Sequence, residues 1–137
     1  MRNTKAQRFA QSYEKLGLET EVNTASPAKL IAILFAGAKA SVAKARLYLQ
    51  ANDIPNRGLC ISKAIDIIRN GLRASLDESV GEVAKNMALC YELMVIHLLQ
   101  ANLKQDESRL ILVEKMLTDM SEAWNIATGQ VEAPQEL

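Results

Sequence analysis

Four long stretches of this chain repeat apolar residues at intervals of three and four, with only short polar breaks between them. That spacing places the apolar side chains on one side of an α-helix; a half-buried strand would alternate every second residue. The first stretch runs from about Pro27 to Ala51, with Leu30, Leu34, Ala38, Ala45, Tyr48 and Leu49 in its stripe. The second, from about Pro55 to Leu76, carries Ile61, Ile65, Ile68 and Leu72. The third, Glu82 to Lys104, carries Val83, Met87, Tyr91, Met94 and Leu98. The fourth ends near Thr128 and carries Leu110, Val113, Leu117, Met120 and Trp124.

The breaks have helix-end chemistry. Ser26 can accept a hydrogen bond from an unpaired backbone N–H, and Pro27 sits where a missing N–H costs nothing. Asn52-Asp53 and Asp77 to Gly81 separate the next pairs, Gln105-Asp106 makes a tight turn with Asp106 as an N-cap, and Gly129 suits a left-handed C′ position. Connections this short make neighbouring helices antiparallel, so the expected fold is all-α, an antiparallel up-down four-helix bundle with a short N-terminal helical cap segment. Residues 1–23 fall outside the pattern. Ala6, Phe9, Ala10, Tyr13 and Leu16 could line one side of a short helix, marginal alone and formed by docking. The expected organisation is a mobile N-terminal segment over 1–23 with that cap helix, a bundle over 24–128, and a frayed tail over 129–137.

At 137 residues the chain is one domain, long enough to bury a core. With 4% aromatic residues that core must be mainly aliphatic. Sixteen basic and sixteen acidic residues cancel, which argues against a nucleic-acid partner. The cancellation hides an asymmetry. Residues 27–51 carry Lys29, Lys39, Lys44 and Arg46 with no acid, and residues 106–128 are mostly acidic, so neighbouring helices are expected to carry opposite charge. Cys60 and Cys90 form no CxxC pair, and with a single His there are too few ligands for a structural zinc. Neither a secretory leader nor an apolar run of the roughly 20 residues that span a bilayer is present. The expectation is a cytoplasmic protein with no cofactor, no metal and no membrane insertion.

Function is suggested by surplus apolar residues. In the third stretch, Leu89, Ile96 and Leu103 form a seven-residue ladder opposite the core stripe, flanked by Leu93 and Leu99. The second stretch has a further lane, Cys60, Ala64, Ile67, Gly71 and Ala74, whose small members would let another helix approach closely. Such residues either widen the core or form a face that another polypeptide covers, for instance an amphipathic helix laid in a groove. The expected partner-binding face is therefore centred on the second and third helices, at Cys60, Ala64, Ile67, Gly71, Leu89, Leu93, Ile96, Leu99 and Leu103.

Catalysis finds little to work with. His97 is the only His, and its sequence neighbours Ile96 and Leu98 supply no orienting carboxylate. Glu-x-x-His pairs and Gly-rich phosphate loops are missing. No catalytic residue is assigned. Single-histidine phosphotransfer bundles are one alternative, but His97-Leu98-Leu99-Gln100 lacks their usual Lys-Gly after the His. A small signalling or adaptor module, homodimeric through the same apolar face, is the other class of reading.

A set of motifs runs in order along the chain: Ala10-Gln11-Ser12-Tyr13, Thr24-Ala25-Ser26-Pro27 with Leu30-Ile31, Leu34 and Gly37-Ala38, then Lys63-Ala64-Ile65-Asp66-Ile67-Ile68 with Gly71-Leu72 and Ser75-Leu76-Asp77. Leu89, Tyr91, Met94, Leu98, Ala101-Asn102-Leu103, Asp106 and Trp124 complete the set. In this order the motifs resemble the FliS family of flagellar export chaperones. Ala36, where the family usually has an acid, and Ile96-His97, where it has a basic residue, depart from the pattern. The resemblance implies a non-enzymatic chaperone that binds the disordered C-terminal segment of flagellin, prevents premature polymerisation and helps delivery to the flagellar type III export gate. It also implies an N-terminal segment that covers an apolar site and contacts the export gate, a role that falls on Ala10 and Tyr13. Whether a co-chaperone binds elsewhere is left open.

Overall fold

A computed structural model of the chain describes residues 26–130. The expected cap helix and most of the tail lie outside these residues. Among the described residues there are four helices and no strand: α1 (Pro27–Gln50), α2 (residues 54–75), α3 (Glu82–Lys104) and α4 (Glu107–Ala127). They form an antiparallel bundle in which α1 packs on α2 and α4, and α3 completes the square between the same two.

Local chemistry sets the helix ends. Ser26 is the N-cap of α1, its Oγ accepting from Lys29 N at 3.2 Å, with Pro27 at the first helical position. Asp53 caps α2 by accepting from Asn56 N at 3.2 Å, and Asp106 caps α4 by accepting from Ser108 N at 3.0 Å. After α4, Gly129 turns left-handed at φ 74°; its N–H reaches Ile126 O, and Gln130 N reaches Asn125 O at 2.9 Å. Those two bonds make a Schellman closure, which a Cβ at Gly129 would strain.

The core is aliphatic around one aromatic pair. Leu30, Leu34, Phe35, Ala38, Val42 and Ala45 of α1 meet Ile61, Ile68 and Leu72 of α2, Tyr91, Met94 and Leu98 of α3, and Leu110, Val113 and Leu117 of α4. Phe35 and Tyr91 rings lie 6.5 Å apart, and burial pushes the Tyr91 phenol well above its ordinary pKa. One expected core residue lies elsewhere: Val83, in the first turn of α3, is exposed, while its neighbour Ala84 faces inward.

Helix α2 is not uniform. Ile54–Asp66 is α-helical, Ile67–Leu72 widens into a π-helix, and Arg73–Ser75 tightens into a 3₁₀ turn. The wider π turn lets Ile67, Ile68, Gly71 and Leu72 all face inward. At the opposite end of α2, the buried Arg57 reaches across to α3. Its Nε donates to Asn102 Oδ1 at 3.0 Å and its Nη2 to Asn102 O at 3.1 Å. The cation sits on the carbonyl-rich last turn of α3, where the helix dipole favours it.

Opposite charge on neighbouring helices is realised at α1 and α4. Arg46 Nη1 donates to Glu114 Oε2 at 2.9 Å and Nη2 to Glu107 Oε1 at 3.4 Å, while Gln50 Nε2 donates to the same Glu107 oxygen at 2.8 Å.

Candidate apolar docking site

Among the described residues, the outer face of α3 is the largest run of exposed apolar residues on one helix. Leu89, Leu93, Ile96, Leu99 and Leu103 are between 43% and 77% exposed. On the opposite side of the same helix Tyr91, Met94, Val95 and Leu98 are almost wholly enclosed. The two sides differ because, among the described residues, α3 packs chiefly on α2 and α4, and both lie against its inner half. A stripe this apolar on a surface helix is what an amphipathic partner helix covers.

The second lane on α2 is placed differently. Ala64 and Ile67 have no exposed surface and Gly71 is buried, so three of its predicted partner-binding positions belong to the core. A helix does lie against the small residues of that lane, and it is α1. A Cβ added to Gly71 would stand 2.8 Å from Leu34 Cδ2 and 2.9 Å from Leu34 Cδ1. Cys60, at the start of the lane, is half-buried and packs against the core edge, and Ala74 is exposed. Both cysteines are free thiols. Of the expected partner-binding positions, the exposed ones are therefore those on α3. Ala10 and Tyr13 lie outside the described residues.

A second apolar feature was not anticipated. A cavity of about 230 Å³ opens where the N-terminal end of α1 meets the far end of α2. Pro27 and Ile31 of α1, Leu76 after α2, Met87 and Tyr91 of α3, and Trp124 of α4 line it. Trp124 is fixed there by donating its Nε1–H to Ala28 O at 3.1 Å. The volume is below the ~300–1,000 Å³ of sites for drug-sized ligands and suits a side chain better than a free molecule. The sequence signals for it were Trp124 and the Ser-Pro helix start, but only the bundle's closure brings them together.

His97 is committed to a structural contact. Arg109 Nη1 lies 3.1 Å from its Nδ1, which must accept, and Arg109 Nε is also 3.3 Å from Asp106 Oδ2. No carboxylate orients the imidazole among the described residues, as general base or phosphoacceptor chemistry would require. Among the same residues no group of His, Cys, Asp and Glu could hold a metal ion, and no helix is long and apolar enough to cross a membrane.

Comparison with known proteins gives this geometry its context. The flagellar secretion chaperone FliS of Salmonella typhimurium is 44% identical over 115 residues, 83% of this chain and 85% of that protein. The protein of the same name from Escherichia coli is 41% identical over 120 residues, covering 87% and 88% of the two chains. The Bacillus subtilis chaperone is 31% identical over 109 residues, 80% of each. A sequence model of the family described as flagellar protein FliS matches residues 9–131, a span that takes in every helix of the bundle and the α3 face, and the chain belongs to the FliS family.

Proposed function

We propose that this protein is a cytoplasmic flagellar export chaperone. It binds the disordered C-terminal segment of flagellin, keeps that segment from polymerising early, and helps deliver it to the type III export gate. The observation that carries the reading is the exposed stripe on α3, Leu89 to Leu103, on a helix whose other side is already fully used. The names of the relatives supply the secretion context.

The physics of such a client supports wrapping over a single-point contact. A segment that folds as it binds loses ordering entropy of ~2–5 kcal/mol or more, and typically buries on the order of 1,000–3,000 Å². The α3 stripe offers a long contact, and the cavity by Pro27 and Trp124 offers an anchor at one end of the bundle. That cavity also opens next to the point where residues 1–25 join α1. In this reading the N-terminal segment, with Ala10 and Tyr13, covers apolar surface until the client displaces it and then serves the export gate.

Mixing the protein with a flagellin C-terminal segment and separating the mixture by size exclusion tests the reading. A stable one-to-one complex is expected. Two peaks that never merge, at concentrations well above micromolar, would contradict it.

A further inference from the structure

The α3 stripe has a polar interruption at a definite place. Written as a heptad, Leu89, Ile96 and Leu103 occupy the first core position, and Glu92 and Leu99 occupy the fourth. Four of these five positions are apolar and one is an acid. A purely apolar seam lets a partner helix slip by a heptad at small cost. A single polar position in such a seam fixes register, because a slipped partner leaves the polar groups unpaired.

Glu92 does not stand alone. Two arginines from the π and 3₁₀ part of α2 reach it across the helix pair. Arg73 Nη1 donates to Glu92 Oε1 at 2.8 Å. Arg69 Nη2 is 3.8 Å from Glu92 Oε2, too far for a hydrogen bond. Arg69 is about half exposed, and its guanidinium donates no hydrogen bond among the described residues. Asp66, one turn before it, is held by Asn70. Two guanidinium groups thus share one carboxylate, leaving one positive charge and a set of open N–H donors at Glu92, which lies one turn from both Leu89 and Ile96 on α3.

We propose that Arg69, backed by the Arg73–Glu92 pair, sets the register of the client by taking a carboxylate of an amphipathic client helix laid along Leu89, Ile96 and Leu103. The inference rests on the chaperone reading above. An acidic side chain completes Arg69 with a charge-assisted fork. A basic one meets the surplus positive charge, and an apolar one would bury donors without acceptors. A second copy of this chain is a poorer occupant, because the acid in its own seam is already bound to Arg73.

The test is a titration of a labelled flagellin C-terminal segment, read by fluorescence anisotropy at low and high salt. Wild type is compared with Arg69→Gln, Arg69→Glu, Arg69→Lys and the double variant Leu89→Asp/Ile96→Asp, each checked for helical circular dichroism. Arg69→Gln is expected to weaken binding about fivefold and Arg69→Glu about tenfold or more, with Arg69→Lys between wild type and Arg69→Gln. Salt should weaken wild type more than Arg69→Gln, and one client Asp or Glu changed to Arg should restore binding to Arg69→Glu selectively. If Arg69→Gln and Arg69→Glu bind within about twofold of wild type with its salt dependence while the double variant does not bind, the register proposal is overturned and the chaperone reading stands. If the double variant binds like wild type, the segment does not lie on α3 and the register proposal is overturned; if wild type itself does not bind the segment, the chaperone reading fails. A concentration-dependent dimer that the segment dissolves and Ile96→Asp breaks would give the seam to a second copy and overturn the proposal.

Discussion

Two lanes of apolar residues look alike in the sequence and end in opposite places. Cys60, Ala64, Ile67 and Gly71 on α2 and Leu89, Ile96 and Leu103 on α3 each repeat at helical spacing outside the main core stripe. Most of the first is buried, with Gly71 tight against Leu34 of α1, and all of the second is exposed. The difference is residue size and angular position. The α2 lane adjoins its core stripe and is built from small residues, so a neighbouring helix closes over it. The α3 ladder is opposite its stripe and is built from Leu and Ile, beyond reach of either neighbour. Surplus hydrophobicity alone did not separate a core from an exposed face; where the surplus lies relative to the stripe did.

This contrast can be broken most forcefully by truncating one residue from each lane. Ile67→Ala should cost about 2–5 kcal/mol of unfolding free energy, the usual range for a fully enclosed aliphatic side chain. Ile96→Ala should stay within about 0.5 kcal/mol of wild type, because its side chain is half in water already. Urea melts of the two variants decide it, and comparable losses would erase the distinction between the lanes.

Glycines sharpen the same contrast on a smaller scale. Gly71→Ala drives a Cβ into Leu34, which is itself wholly enclosed. The overpacking, ~1–3 kcal/mol, is opposed by the helix preference for Ala of ~1 kcal/mol, so a net loss of about 1 kcal/mol is expected. Gly58 has only Asn102 Nδ2 at 3.9 Å, so Gly58→Ala should instead stabilise by about 0.5–1 kcal/mol. Thermal melts giving both substitutions the same sign would contradict the tight α1–α2 contact.

The smallest effect belongs to the α3–α4 turn, which holds the ladder helix in place. Hydrogen bonding from the Ser108 side chain holds the Asp106 carboxyl below the usual Asp range; burial opposes it, and the Ser108 backbone N–H and Arg109 add to it. A carboxyl depressed in the folded state stabilises above its unfolded pKa of about 3.9, and that contribution is lost as pH falls through the folded value. Melting temperature should therefore fall slightly below about pH 4, and Asp106→Asn, which keeps a capping oxygen, should flatten that fall. An unchanged acid profile would remove Asp106 from the account.

Much of this was legible beforehand for physical reasons. Ser26-Pro27, Asp53, Asp106 and Gly129 act locally, so their sequence neighbours suffice to read the helix ends. The α3 ladder was legible because two apolar sides on one helix cannot both be covered by two neighbours. The π turn at Ile67–Leu72 was not, since one widened turn in a short helix does not stand out from ordinary three-and-four spacing, and it lets Ile67, Ile68, Gly71 and Leu72 all turn inward. The Arg69–Arg73–Glu92 cluster was not legible either, because it depends on the axial register of α2 against α3, set far away by Arg57 and Asn102.

The central claim is that the outward side of α3 is reserved for another polypeptide. Its most direct test is the affinity of a flagellin C-terminal segment for Leu89→Asp/Ile96→Asp, measured beside wild type with circular dichroism and melting temperature recorded for both. The account predicts an unchanged fold with binding lost. Binding at wild-type affinity, or a variant that unfolds outright, would contradict it.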